Sequence, residues 1–313
     1  MSINILFLGG AKRVSVAEAF IEEGIHLNEK ILIFSYELSK YEPISCIGKI
    51  INGRKWNDPG ILDHLAKIIQ ENEINIVLPF VDIGTILCSK LRSRLPKTFF
   101  CIASEYLNEI FFDKRKSQEW FIENKLLIPP FEMEVPLIAK LITGSGAKGI
   151  KYFYNQTQLE SFLNENDISD YFFQQIIEGM EFSVDCYVDK GGEVISIVPR
   201  QRLEVMNGEA TKCKTVKDIE VINISKDILC IGQIKGPVTI QFIREKDTKL
   251  LYLIEINPRF GSGILTSIKA GANTCQFILK DYLGIRNEPL QNWKEDLIMT
   301  RAFREFYFYA TDN

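Results

Sequence analysis

Residues 236–259 read Gly-Pro-Val-Thr-Ile-Gln-Phe-Ile-Arg-Glu-Lys-Asp-Thr-Lys-Leu-Leu-Tyr-Leu-Ile-Glu-Ile-Asn-Pro-Arg. Two apolar runs flank a short polar turn at Lys246–Lys249, the mark of a β-hairpin. Side chains alternate faces along a strand. Leu251, Leu253, Glu255 and Asn257 therefore share one face, and Tyr252, Ile254 and Ile256 the other. On the first strand Thr239, Gln241 and Ile243 lie together. A loop of three or five residues sets Gln241 opposite Glu255 and Thr239 opposite Asn257. The hairpin then presents Gln, Glu and Asn oxygens on a face that Leu251, Leu253 and Ile243 make partly buried. An unpaired buried carboxylate is costly. A bound cation removes that cost, and an all-oxygen donor set suits Mg²⁺ or Mn²⁺. The plain alternative is a half-exposed hairpin with a polar outer face.

The 313 residues are long enough for roughly two domains. Hydrophobic content of 46% and charge of 25% are those of a soluble globular protein. No apolar run approaches the roughly 20 residues that span a bilayer. The N-terminal Met-Ser-Ile-Asn-Ile-Leu-Phe-Leu-Gly-Gly lacks a basic region and reads as a first strand rather than a signal peptide. A net charge of −4, with no basic stripe carrying interleaved aromatics, argues against a nucleic-acid partner. The seven cysteines are dispersed with no C-x-x-C pair, which fits reduced thiols in a cytoplasm. The two histidines, His26 and His64, fall in helical or helix-flanking stretches. A zinc site or a Ser-His-Asp triad is poorly supported.

Strands and helices alternate over the first hundred residues. Strands are predicted at Ile3–Leu8, Lys30–Ser35, Asn75–Pro79 and Thr98–Ile102. Helices are predicted at Val14–Glu23, Asp58–Gln70 (Asp58 as cap, Pro59 opening the helix) and Ile83–Leu91. This pattern implies a small parallel α/β sheet. Gly9-Gly10-Ala11-Lys12-Arg13 offers an anion slot at a helix N-terminus, but without the dinucleotide fingerprint a structural turn is the stronger reading. A second unit begins near residue 108, with a helix at Lys114–Asn124, strands at Pro136–Thr143 and Ile150–Tyr154, and a helix at Gln156–Asn164. A third holds strands at Tyr171–Ile177, Glu181–Val188 and Glu193–Pro199. A helix near Ser225–Ile234, the hairpin, a helix at Thr274–Leu283 and a strand at Ile298–Phe308 follow.

Two further stretches carry chemistry. Gly144-Ser145-Gly146-Ala147-Lys148-Gly149 joins two strands, and such a loop exposes backbone N–H groups to phosphate oxygens, with Lys148 adding charge. A plain hairpin tip looks the same. Lys140 interrupts the apolar strand Leu137–Ile142, where an ammonium is expensive unless an anion meets it; snorkelling from an edge strand is the alternative. Phe173–Glu181 runs into a turn at Gly179 whose backbone groups could read an adenine edge, with Glu181 able to accept two ribose hydroxyls. Taken alone, it also reads as strand-turn-strand.

In this order the elements resemble the ATP-grasp superfamily, over essentially the whole chain. The run Gln241…Glu255-x-Asn257-Pro258-Arg259 is especially similar to the ATP-grasp halves of the carbamoyl-phosphate synthetase large subunit and to short stand-alone ligases related to them. The resemblance implies an α/β (α+β) fold: a parallel pre-grasp domain (1–107), a small lid subdomain with the glycine-rich loop (108–173) and a catalytic subdomain built on an antiparallel sheet (174–313). It implies that Lys114 and Lys140 bind ATP phosphates and that Gly144, Ser145, Gly146, Lys148 and Gly149 close over them. Gln174 would face the adenine amino group, with the Gln175 carbonyl and Ile177 N–H at the ring edge, and Glu181 would hold the ribose. Gln241, Glu255 and Asn257 would ligate one or two Mg²⁺ (or Mn²⁺) ions. Arg259 would stabilise charge on the transferring phosphoryl group or on the tetrahedral intermediate. Gln241 stands where an acid is common, and the chain lacks a duplicated half and a glutaminase, which argues against carbamoyl phosphate formation itself.

The expected activity is ATP-dependent ligation of a small-molecule carboxylate to an amine through an acyl phosphate, with release of ADP and phosphate. Positioning and charge neutralisation carry such a transfer. Arg200, Arg202 and Lys212 lie between the Phe173–Glu181 stretch and the hairpin and are candidates for the substrate carboxylate or acyl phosphate; a solvated face is their alternative. A kinase of a small acid and a non-catalytic ATP-binding subunit remain as other functions. The expected setting is cytoplasmic, without membrane or nucleic acid, and a homodimer is compatible with the resemblance.

Overall fold

The structure is a computed structural model that describes residues 2–131, 133–144 and 149–310. Its first sheet is parallel. Strands β1 (Ser2–Leu8), β2 (Lys30–Glu37), β3 (Lys49–Asn52), β4 (Ile76–Pro79) and β5 (Phe99–Phe100) run in the order β3-β2-β1-β4-β5. Helices α1 (Val14–His26), α2 (Ile61–Glu71) and α3 (Asp82–Arg92) make the crossovers. Ile5, Leu6, Phe7 and Leu8 are all fully buried, as a central parallel strand covered on both faces requires. The strand order reverses between β1 and β4. In open α/β sheets that is where a crevice forms, beyond the carboxyl ends of the strands. Gly9–Arg13 follow β1 there, and Val81-Asp82 follow β4.

The small sheet holds β6 (Leu137–Leu141), β7 (Lys151–Phe153) and β8 (Tyr171–Gln175), antiparallel in the order β7-β6-β8, with α6 (Gln156–Glu165) beside it. Leu137, Ala139, Phe153 and Leu159 form its own core. Helices α4 (Glu105–Phe112) and α5 (Lys114–Glu123) lead into it. The large sheet is antiparallel: β9 (Gly179–Val188), β10 (Val194–Met206), β11 (Glu209–Thr215), β12 (Gly236–Glu245), β13 (Leu251–Asn257) and β14 (Ile298–Thr300), in the order β13-β12-β9-β10-β11-β14. Helices α7 (Ile219–Gly232), α8 (Ile264–Lys269) and α9 (Thr274–Leu283) complete it. One buried cluster runs from Phe7, Phe20 and Ile33 to Tyr187, Phe260 and Phe277, so the first sheet and the large one share a core.

Several boundaries differ from the sequence reading. Helix α2 opens at Ile61, because the Asp58 carboxylate accepts the Gly60 N–H at 2.7 Å and closes a turn ahead of the helix. Strand β10 continues to Met206 and turns into β11, a strand too polar to stand out. The last strand is confined to Ile298–Thr300, paired with β11. The small sheet takes β8 to Gln175, so Gln174 pairs within it, opposite Ile138.

The hairpin β12–β13 has the expected register at its functional end, with Thr239 opposite Asn257 and Gln241 opposite Glu255. Beyond that point it departs from simple alternation. Phe242 pairs with Leu253, leaving Ile254 as the extra residue of a β-bulge. The bulge resets the faces. Leu251 and Leu253 join Ile256, Ile240 and Phe242 in the core, whereas Ile254, Glu255 and Asn257 all face the cleft. The expectation that Leu251 and Leu253 share the face of Glu255 is thereby corrected.

Candidate active site

A cleft of about 570 Å³ lies between the small sheet, the large sheet and the carboxyl end of the parallel sheet. Lys140 and Gln174 reach it from the small sheet, Ile177 from the segment that links the two antiparallel sheets, Glu181 from the start of β9, and Gln241 and Glu255 from the hairpin. Arg13 and Asp82 reach it from the first sheet.

On the small-sheet side, Lys140 donates from Nζ to Gln174 Oε1 at 3.2 Å. Burial pushes the ammonium below the ordinary lysine range; Glu255 and Glu181 pull it up, and Lys114 pushes it further down. Lys114 opens α5, whose cap is Asp113, accepting from the backbone N–H groups of Arg115 (2.8 Å) and Lys116 (3.2 Å). The Lys114 backbone N–H is bound to the Ile142 carbonyl at 3.0 Å, and its Nζ to the Gly144 carbonyl at 3.0 Å. These bonds hold the helix start against the end of β6, so the two lysines approach despite their like charge. Gly144 lines the cleft. Gly149 has φ +73°, and a Cβ there would meet Leu141 at 2.6 Å, so only glycine suits the position. Ser145, Gly146 and Lys148 lie outside the described residues.

Gln174 is 1% exposed, and its Nε2 has no partner among the described residues. With its oxygen taken by Lys140, the side chain offers a donor, not an acceptor, to whatever lies in the cleft. Gln175, Ile176 and Ile177 line the same end. Glu181 forms an ion pair with Arg202 at 3.0 Å, and Arg202 also donates to Gln241 Oε1 at 3.2 Å and the Gly208 carbonyl at 2.9 Å. The charge of Arg202 is therefore shared between Glu181 at the start of β9 and Gln241 in the hairpin.

At the hairpin, Glu255 Oε1 accepts from the Asn257 amide at 2.7 Å and from the Gln241 amide. Among the described residues no three His, Cys, Asp or Glu side chains gather as a metal cluster. The donor set here is one carboxylate and two amides. It fits a hard, oxygen-seeking cation: both amides can turn their oxygens inward, and the one carboxylate leaves charge to be supplied by a polyanion such as a triphosphate. Arg259 stands beside it. Its Nε binds Asp82 at 2.5 Å, Nη1 the Phe260 carbonyl at 3.1 Å and Nη2 Asn257 Oδ1 at 3.3 Å. Burial opposes the Arg259 charge, but Asp82 outweighs it and holds the group above its usual range.

Arg200 sits at the cleft floor, 1% exposed, with Nε and Nη2 on the two oxygens of Asp185 at 2.6 and 2.9 Å. Ser267 donates to the same carboxylate at 2.6 Å. The fork is committed to protein, so Arg200 braces β10 against β9 and α8 rather than offering its donors to a ligand. Lys212 pairs with Glu204 at 3.1 Å on the surface of the large sheet.

Asp82, Asp185 and Glu209 were invisible as site residues in the sequence, since each is an isolated acid far along the chain from its arginine. The glycine loop after β1 has an unforeseen occupant. The Glu37 carboxylate accepts the backbone N–H groups of Gly10 and Ala11 and the Ser35 hydroxyl, the last at 2.6 Å. The anion slot is filled by the chain itself, and Arg13 projects past it into the cleft.

The family described as ATP-grasp in the biosynthetic pathway with Ter operon matches residues 167–303. Solved structures match over almost the whole length. The biotin carboxylase domain dimer of Hydrogenobacter thermophilus 2-oxoglutarate carboxylase, in complex with MgADP, ADP and bicarbonate, superposes with a TM-score of 0.75 at 15% identity, covering 95% of this chain and 73% of that one. The N5-carboxyaminoimidazole synthetase of Staphylococcus aureus complexed with ADP gives 0.74 at 16%, covering 96% and 83%. Biotin carboxylase from Campylobacter jejuni gives 0.71 at 15%, covering 90% and 71%. Residues 167–303 thus match an ATP-grasp family, and the chain as a whole shares the fold of these structures. No curated protein matches it in sequence. The two antiparallel sheets face each other across the cleft, and the parallel sheet closes its third side. None of its described helices is long and apolar enough to cross a membrane.

Proposed function

We propose that the chain is an ATP-dependent carboxylate–amine ligase working through an acyl phosphate. The observation that carries this is the convergence in one cleft of Lys140, Gln174 and Glu181 with Glu255, Asn257 and Arg259. The relatives of the same fold crystallised with ADP or MgADP support a nucleotide in that cleft.

In this reading adenine lies against the Gln174–Ile177 segment. The buried Gln174 Nε2 donates to a ring nitrogen, which satisfies the donor that lacks a partner. Glu181 exchanges part of its pairing with Arg202 for ribose hydroxyls. Lys140 and Lys114 take phosphate oxygens, and an anion there relieves the burial that depresses Lys140. Glu255, Asn257 and Gln241 would hold Mg²⁺, which when bound neutralises charge on the β- and γ-phosphates. Arg259, oriented by Asp82, keeps N–H donors for the oxygens of the transferring group. A substrate carboxylate oxygen bonds to the γ-phosphorus as the bond to the β–γ bridging oxygen breaks, and ADP leaves. An amine nitrogen then bonds to the acyl carbon, phosphate departs, and the nitrogen gives up its proton to solvent.

The test is nucleotide turnover with Mg²⁺ against a panel of small carboxylates, each with and without amines. ADP and phosphate released together with an amide product are expected. AMP and pyrophosphate would overturn the acyl-phosphate route. A stable acyl phosphate unaffected by any amine would make the protein a kinase.

A further inference from the structure

Among the described residues four guanidinium groups line the cleft: Arg13, Arg200, Arg202 and Arg259. Three are held by protein partners, Arg200 by Asp185, Arg202 by Glu181, Gln241 and Gly208 with only its buried Nε unpartnered among the described residues, and Arg259 by Asp82, Phe260 and Asn257. Arg13 differs. Among the described residues its guanidinium meets Glu209 Oε1 at 3.5 Å, longer than a good hydrogen bond, and the face of Phe80, 5.9 Å from the ring centroid. An arginine carries five N–H donors, so most of those on Arg13 stand open to the cleft.

Glu209 is arranged to match. Arg301 Nη1 donates to its Oε2 at 2.5 Å, and Arg301 is itself held by the Ser262 carbonyl and by its backbone N–H on the Thr211 carbonyl, 2.9 Å away. The carboxylate is thereby fixed from behind through one oxygen, with the other turned to Arg13. Burial works against the Glu209 charge, but Arg13 and Arg301 outweigh it and hold the carboxyl below its usual range. The Arg13 charge is felt together with those of Arg301 and Arg259, and the Arg259 charge with those of Glu255 and Glu209. The Arg13–Glu209 pair therefore adjoins the phosphoryl-transfer centre, on a floor made by Phe80 stacked on Phe260 at 5.4 Å.

A guanidinium and a carboxylate oxygen paired only loosely, at 3.5 Å, form a neutral, two-signed surface. A phosphate, with a charge of about −2, would be repelled by Glu209. A simple amine would leave Arg13 without an anion, and a simple acid would leave Glu209 without a cation. We propose that Arg13 and Glu209 bind the head group of an α-amino acid, its carboxylate on Arg13 and its ammonium on Glu209 Oε1. Arg301 is the positioning residue that aims Glu209. The inference rests on the ligase reading and names the class of one of its substrates.

Calorimetric titration of each standard α-amino acid, into the full chain with Mg²⁺ and a non-hydrolysable ATP analogue, tests it. At least one amino acid should bind. Its des-amino and decarboxylated analogues should each bind about tenfold or more weakly, the scale of one lost charge-assisted hydrogen bond. Arg13→Gln and Glu209→Gln should weaken that amino acid to a similar degree and leave the affinity for the ATP analogue unchanged, which also reports that both variants fold. The proposal is overturned if no amino acid binds, if the des-amino acid or inorganic phosphate binds as tightly as the amino acid, or if Arg13→Gln binds like the parent chain. ATP turnover with other acids and amines, without amino-acid binding, would remove this inference and keep the ligase. Amino-acid binding through Arg13 and Glu209, without turnover for any acid and amine, would do the reverse.

Discussion

Glu255 is the single carboxylate in its donor set, and two amides point at the same oxygen. Replacing it by Gln removes the charge while keeping the shape. Turnover should fall about a hundredfold or more, the scale of roughly 3 kcal/mol of transition-state stabilisation, while the melting temperature stays near that of the parent. Near-normal turnover at saturating Mg²⁺ would remove the metal assignment. Lys140 gives a pH signature. Its ammonium is held below the usual range when the cleft is empty, and ATP phosphates would raise it again. Between those two values binding takes up a proton, so affinity should fall as pH rises through the lowered value. Titrations in buffers of different ionisation enthalpy detect that proton, and Lys140→Ala should abolish the uptake and weaken ATP about tenfold to a hundredfold. Asp185→Ala leaves the Arg200 guanidinium buried and unpaired; a loss of about 3–5 kcal/mol in urea unfolding is expected.

At the scale of elements, the link between the small and large sheets depends on Gly179. A Cβ there would lie 2.0 Å from the Arg244 carbonyl oxygen, and backbone cannot retreat as a side-chain end can. Gly179 pairs with Glu245 at the end of the β9–β12 ladder. Gly179→Ala should cost about 1–3 kcal/mol of stability, the range for overpacking. It should also weaken ATP through displacement of Glu181, two residues on. Unchanged nucleotide affinity in a destabilised variant would separate the ladder from the hinge.

The whole molecule is built around a core shared by its parallel sheet and its large antiparallel sheet. Tyr187, Phe260, Ile264 and Phe277 lie in one buried cluster with Phe7, Phe20 and Ile33. Removing residues 1–104 would expose that face and delete Arg13 and Asp82 from the cleft. The remaining chain should show no cooperative unfolding in calorimetry, whereas the full chain should. A well-folded fragment that still binds ATP would contradict the shared core.

What the sequence by itself determined lies where neighbours along the chain are neighbours in space. The hairpin at 236–259, the pairing of Gln241 with Glu255 and the out-of-place charge of Lys140 follow from strand alternation and local composition. So do most helices and strands, whose periodicity is set by residues a few positions apart. Only the tertiary structure decided the rest. The bulge at Ile254 moved Leu251 and Leu253 into the core because a pleat carries no record of one inserted residue until its partner strand is in place. The ties of Arg200 to Asp185, Arg259 to Asp82 and Glu37 to the glycine loop join separate elements, and an isolated acid in a sequence does not say which base it will meet. Arg13 and Glu209 come together because the connections leaving the carboxyl ends of β1 and β4 diverge at the reversal of strand order and the end of the large sheet covers that crevice.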